Sequence, residues 1–226
     1  FETYGVTGVA LITFIALVMK DAPQLQTELL VWLFLMRIMM IVTSLVSYRI
    51  NDAMAVARFK DATKMDFELP LHHLVLLTSA ISIGCTYVVS YALLGDQNSV
   101  DVAGKSITSE GLWWKLSTMI SCGTIAGALI PVLTMAFTSL KSQHVDEIVK
   151  SSQEGGASLN ILSGLVAGNF SAFWMGLAIA GLMFAAYAIG MGIDPALMGG
   201  YEAVFAFGLV AFGFLGMGPV TIAVDS

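Results

Sequence analysis

The sequence predicts an all-α polytopic membrane protein with about six transmembrane helices. Of its 226 residues, 57% are hydrophobic and only 12% are charged, whereas soluble domains carry about 25% charged residues. The mean hydropathy is +0.84. Apolar runs of about 20 residues, the length that a helix needs to cross a bilayer, recur along the chain. These runs are continuous rather than alternating, which favours helices over a transmembrane barrel.

The runs and the segments between them give the expected order of elements. The fourth and fifth runs are longer than one crossing requires, so we expect part of each to project beyond the hydrocarbon. The polar segment GDQNSVDVAGKSITSEG at 95–111 predicts a loop or a short hairpin. The segment at 51–70 predicts a short amphipathic helix before Pro70. The six runs lie at roughly 3–19, 29–50, 71–94, 112–140, 158–191 and 203–224.

Basic residues set the expected orientation, because Lys and Arg concentrate in cytoplasmic loops. If residue 1 starts on the cytoplasmic side, loops 49–70 and 141–157 are cytoplasmic and Trp113 and Trp114 anchor the outer interface. Both Glu2 and Asp225 then lie at the cytoplasmic face. The cytoplasmic loops carry Arg49, Arg58, Lys60, Lys64, Lys141 and Lys150, against Lys20, Lys105 and Lys115 on the opposite side.

Several classes of function lack their sequence signals. No basic cluster suggests a nucleic-acid partner. The chain has no phosphate-binding Walker A loop, no G-x-S-x-G and no H-E-x-x-H. Its three scattered histidines make no zinc pattern. Cys85 and Cys122 both lie inside apolar runs, so we expect no structural disulfide.

Small residues and the ionisable residues Glu2, Arg37 and Asp225 remain as candidates for chemistry. GTIAG at 123–127 and GLVAG at 164–168 predict close helix packing, and Gly218-Pro219 predicts an interrupted last helix. Glu2 is either a helix-start acid that faces the positive end of the dipole or an ion-gate or metal-associated carboxylate. Arg37, in the middle of a span, needs a partner from another helix. The residues alone leave a secondary ion transporter, a channel and a membrane scaffold subunit open.

Several short sequence motifs narrow the choice among these functions. EGGASLNILSGLVAGNFSAFWMGLAI at 154–179 resembles the G-x-A-T-N-x-I-x-G-L-A-V-G stretch of membrane-integral pyrophosphatases, with Leu159 in place of the common Thr. FETY at 1–4 resembles that family's D-L-F-E-T-Y segment. GPVTIAVDS at 218–226 resembles the approach to its D-[AS]-Y-G-P-[IV]-x-D-N-A motif. FTS at 137–139 resembles the end of E-Y-Y-T-S, so Met135 stands where many members have Glu.

The resemblance implies a fold and an activity. The family is a sixteen-helix pump that hydrolyses pyrophosphate with Mg²⁺ and moves H⁺ or Na⁺ outward. Residues 1–226 would be a single internal fragment, helices six to eleven, that is inactive alone. Asp225 would be a metal ligand and Glu2 the ion gate. The resemblance further implies a homodimer in a prokaryotic cell membrane, with K⁺ or Na⁺ as further possible cofactors.

Overall fold

A computed structural model describes residues 2–60, 68–95, 99–102, 105–108 and 111–225, which form helices and one small hairpin. The order of elements follows the predicted order of apolar runs and polar connections. The elements are α1 (Glu2–Val18), α2 (Pro23–Phe59), α3 (Glu68–Leu94), β1 (Ser99–Val102), β2 (Lys105–Thr108), α4 (Leu112–Thr138), α5 (Gln143–Gly190), α6 (Pro195–Met198), α7 (Glu202–Gly216) and α8 (Gly218–Asp225).

The predicted fold class is confirmed: the chain is a helical, multi-pass integral membrane protein. Four stretches of the described chain are long and apolar enough to cross a bilayer, and the third of them contains both α4 and α5. The 17-residue α1 lies at the short end of the range for a spanning helix. The stretches are Pro23–Phe59, Leu69–Leu94, Leu112–Gly190 and Glu202–Thr221.

The two polar connections near α3 partly match their predictions. The segment 95–111 contains a hairpin, in which β1 pairs antiparallel with β2 and Ser99 lies opposite Thr108. In the segment 51–70, helix α2 simply continues to Phe59 instead of starting a separate helix. Residues 61–67 of that prediction lie outside the described residues.

The expectation of a loop at 141–157 is wrong, because α5 starts at Gln143 and doubles back at Gly156. Gly156 has φ 62° and ψ −151°, a conformation that interrupts the helix and is essentially restricted to glycine. The His144 ring lies 6.2 Å from the Phe170 ring, whereas 26 residues of straight helix would span about 39 Å. The first part of α5 therefore folds back against the second as a helical hairpin.

The closest helix contact in the described chain joins α4 and α7 through two glycines. A Cβ on Gly123 would overlap the carbonyl oxygen of Val210, and one on Gly213 would overlap that of Ile120. Small residues let helix backbones approach closely in lipid, so the predicted role of GTIAG is confirmed. The glycines of GLVAG differ: no described atom lies within 4 Å of a Cβ built on either Gly164 or Gly168.

Buried hydroxyl groups line α3 at intervals of four residues, at Thr78, Ser82, Thr86 and Ser90. Unpaired polar groups are costly in an apolar interior, and three of these hydroxyls have hydrogen-bond partners. Thr78 donates to the carbonyl of Leu74 at 2.7 Å, and Thr86 donates to that of Ser82 at 2.8 Å. Ser90 accepts a 2.9 Å hydrogen bond from the Trp32 indole of α2. One of these hydroxyls, that of Ser90, thus joins α3 to α2 by a side-chain hydrogen bond.

Replacing Gly213 with Ala should force α7 away from α4, because the new methyl group would meet the Ile120 backbone. We expect a loss of about 1–3 kcal/mol in unfolding free energy, measured by thermal unfolding of the full-length protein in detergent. Gly84→Ala is the control, since no described atom lies within 4 Å of its Cβ position. Equal melting temperatures for the two variants would contradict the close contact.

Replacing Gly156 with Ala should strain the α5 hairpin, although the site has room for a methyl group. An L-residue at φ 62°, ψ −151° costs about 1–3 kcal/mol. We therefore expect faster proteolytic cleavage between residues 143 and 157. Gly176→Ala, at a helical glycine that also has open space, should protect this segment as well as the original residue does. Unchanged cleavage in Gly156→Ala would rule out the folded-back arrangement.

Candidate functional site

The last span is broken one turn beyond its middle, as Gly218-Pro219 predicts. Helix α7 ends at Gly216, and α8 begins at Gly218. Pro219 lacks the N–H that would continue the helical ladder. The Met217 N–H instead bonds the carbonyl of Phe214 at 3.2 Å. Met40 of α2 packs directly on Gly216, so a neighbouring helix covers the break.

Helix α8 is held against the first half of α3 and the second half of α4. Met217 and Val220 form a buried cluster with Leu74, Val75 and Ala128. The Thr221 hydroxyl donates to the carbonyl of Met217 at 3.1 Å and closes the first turn of α8. The helix that leads to Asp225 therefore has a fixed base.

A cleft of about 410 Å³ opens beside α8; we call it the α8 cleft. It combines an imidazole and several hydroxyls with apolar walls. The His72 Nε2 contacts the Met135 Sδ across it. Met135 aligns with the Glu of the E-Y-Y-T-S motif. At that position this chain therefore places a thioether against the His72 imidazole. The cleft is lined by Leu71, His72, Val75, Ile130, Pro131, Thr134, Met135, Thr138, Ser139 and Thr221.

The structure describes the backbone of Asp225 and of Glu2, and their side chains lie outside its described part. Asp225 is the last residue of α8, one turn after Thr221. Glu2 is the first residue of α1. Helix α1 runs antiparallel to α7: the Phe14 and Phe205 rings stack at 5.2 Å.

The register of α1 against α7 fixes the level of Glu2. Leu11 reaches to 2.8 Å from a Cβ built on Gly208, three residues along from the Phe14–Phe205 pair in each helix. Continued to the start of α1, this register brings Glu2 level with Met217, at the helix break. The eight residues of α8 span about 12 Å. The two predicted acids thus lie on one side of the membrane, at two successive levels.

Arg37 finds a partner on another helix, as its mid-span position requires. Its guanidinium carbon lies 5.9 Å from the centroid of the Phe212 ring on α7. A cation over an aromatic face is attracted by the ring's electrons. Arg37 therefore links α2 to the helix that carries the break.

Sequence reasoning missed Glu202, a buried acid at the other end of the same helix. Glu202 is the first residue of α7 and is only 7% exposed. The signal was present, because Glu202 is the single acid at the start of the last long apolar run. It was overlooked because an acid at a helix start is ordinarily exposed and favoured by the helix dipole.

Within the described residues, no three His, Cys, Asp or Glu side chains form a group that could hold a metal. Cys85 and Cys122 are free, as their positions in apolar runs predict.

Comparison with known proteins identifies the family. The sequence model described as "Inorganic H+ pyrophosphatase" matches residues 1–226. A K(+)-insensitive pyrophosphate-energized proton pump of Chlorobaculum tepidum is 57% identical over 227 residues, which cover 100% of this chain and 28% of the relative. A protein of the same description from Chloroflexus aurantiacus is 34% identical over 119 residues, covering 53% of this chain and 15% of the relative. No solved structure matches the chain.

These matches show that the chain is a membrane protein of the pyrophosphatase class. More particularly, the chain belongs to the inorganic H⁺ pyrophosphatase family. The resemblance seen in the short motifs is thereby confirmed along the whole chain. The chain spans less than a third of the length of the curated relatives that it matches.

Proposed function

We propose that this chain supplies membrane helices to a pump that hydrolyses pyrophosphate and moves protons outward across a prokaryotic cell membrane. The observation that carries the proposal is 57% identity along the entire chain to a pyrophosphate-energized proton pump. The helix break below Asp225 supports it, because interrupted helices commonly form ion and substrate sites in membrane proteins. Family membership favours this function over the secondary transporter, channel and scaffold alternatives.

Asp225 is the residue that we assign to substrate binding at the end of α8. Carboxylate and phosphate oxygens are the ligands that Mg²⁺ prefers, and bound Mg²⁺ would neutralise charge on pyrophosphate during attack by water. Asp225 fits as one hard ligand, with the remaining ligands from segments outside this chain. Packing of Met217 and Val220 against α3 and α4 gives α8 a fixed base from which to orient this carboxylate.

Glu2 is the residue that we assign to ion transfer at the level of the break. A carboxylate within a bundle can take up and release a proton. In this proposal Glu2 acts at the level of Met217, the joint between α7 and α8, where a change at Asp225 would be passed toward the membrane. The joint between α7 and α8 thus connects the proposed substrate site at Asp225 with the proposed ion path at Glu2.

The relatives narrow the choice of ions. Both are described as K(+)-insensitive proton pumps, so we propose that this pump moves H⁺ rather than Na⁺ and needs no K⁺. A homodimer remains part of the proposal by family resemblance. Adding KCl to a K⁺-free assay of the full-length pump should therefore leave hydrolysis unchanged.

Asp225→Asn in the full-length pump should lower Mg²⁺-dependent pyrophosphate hydrolysis by about 100-fold or more, because the amide removes a charged metal ligand. Phosphate release from membranes measures it. Asp52→Asn, an exposed acid at the cytoplasmic end of α2, is the matched control and should keep full activity. Full activity in both variants would reject the assignment of Asp225.

Glu2→Gln should lower proton transport by about tenfold or more, since an amide cannot carry the proton that a carboxylate carries. Acidification of sealed vesicles, followed with a pH-sensitive dye during pyrophosphate hydrolysis, measures the effect. Glu2→Asp should recover part of the transport. Normal acidification in Glu2→Gln would show that the gate lies elsewhere.

A further inference from the structure

The acid at the outer end of α7 has a setting that helix capping does not explain. The Glu202 side chain is more than nine-tenths buried, and its Oε1 atom is shielded from solvent and accepts no hydrogen bond from any described residue. The residue before it, Tyr201, is the N-cap and gives no side-chain cap. An acid that only complements the helix dipole is ordinarily exposed to water instead.

The position of Glu202 is suited to proton transfer. It is the first residue of the candidate span Glu202–Thr221, and Gly199, Gly200 and Tyr201 just before it are exposed. The carboxyl group is therefore buried within the bundle and one residue away from exposed chain. Taking up a proton removes a charge whose burial is costly, and releasing it restores that charge.

The helices around α7 supply lysines near this end. Helix α7 packs against α1, α2, α4 and α5. On α4, the Lys115 ammonium donates a 2.6 Å hydrogen bond to the carbonyl of Gly192. The Glu202 carbonyl oxygen lies 3.4 Å from a Cβ built on Gly190, so both residues contact the Gly190–Gly192 segment. The other charged or titratable groups at these helix ends include Lys20, Asp21, Glu28, Tyr187, Asp194 and Tyr201.

We propose that Glu202 is a proton-carrying group on the outer side of the pump, which receives a proton from within the bundle and releases it to the outer solvent. This inference rests on the proposed pumping function and adds an outer residue to it. Helix α7–α8 then carries an acid at each end, Glu202 for release and Asp225 for substrate.

The test uses the full-length pump in sealed vesicles and measures protons moved for each pyrophosphate cleaved. Phosphate release and dye-reported acidification are recorded for the unmodified pump, Glu202→Gln, Glu202→Asp and Asp194→Asn. Asp194 is the matched control: it is an exposed acid at the same end, whose Oδ1 accepts from the Ala196 N–H at 2.9 Å, a bond that Asn can also accept. We expect Glu202→Gln to lower the ratio by about tenfold, Glu202→Asp to restore at least half of it, and Asp194→Asn to leave it unchanged.

A ratio in Glu202→Gln within about twofold of the unmodified pump overturns the inference, since a purely structural lesion lowers hydrolysis and transport together. If Glu202→Gln loses hydrolysis entirely, Glu202→Asp decides: recovery of both activities supports the inference, and no recovery overturns it. An unmodified pump that does not couple hydrolysis to acidification rejects the proposed function itself. Coupled activity with a normal Glu202→Gln ratio rejects only the role of Glu202.

Discussion

The backbone contact between α4 and α7 is the constraint on which the rest of the bundle depends. At Gly123 and Gly213 each helix lies against the main chain of the other, so the helix axes cannot separate without losing this contact. In lipid, where helix association gains little from the hydrophobic effect, such close packing is a principal source of stability. Helix α7 is thereby fixed at the centre, with α1, α5 and α2 arranged around it.

That central position explains why several features of the candidate sites lie on α7. The break at Met217, the cation–π contact of Arg37 with Phe212 and the buried Glu202 all belong to α7 or its end. The glycine contacts hold α7 in place, and the chain is interrupted at Met217. The short helix α8 beyond the break can therefore change its position while α7 stays fixed. Interrupted spans that bind ligands at the break are a common arrangement in transporters.

Most of the fold could be predicted from the sequence, and particular elements show the physical reasons. The apolar runs predicted the spans because lipid demands continuous hydrophobic helices, and Gly218-Pro219 predicted the break because proline lacks a donor. The folded-back start of α5 was missed, since a polar, charged segment is consistent with either a loop or an exposed helix. The turn depends on a single positive φ at Gly156. Glu202 was missed because its burial arises from helices distant in sequence.

The folded-back start of α5 has a consequence for how the chain is threaded into the bilayer. It carries Asp146, Glu147, Lys150 and Glu154, with Lys150 and Asp146 paired at 2.6 Å. Carrying each such charge to the bilayer centre costs about 2.5–3.5 kcal/mol on insertion scales. This cost favours keeping the segment on the side where α4 emerges, and the reversal at Gly156 directs the chain back toward the membrane from that same side. A single glycine thus makes α4 and α5 a unit of insertion.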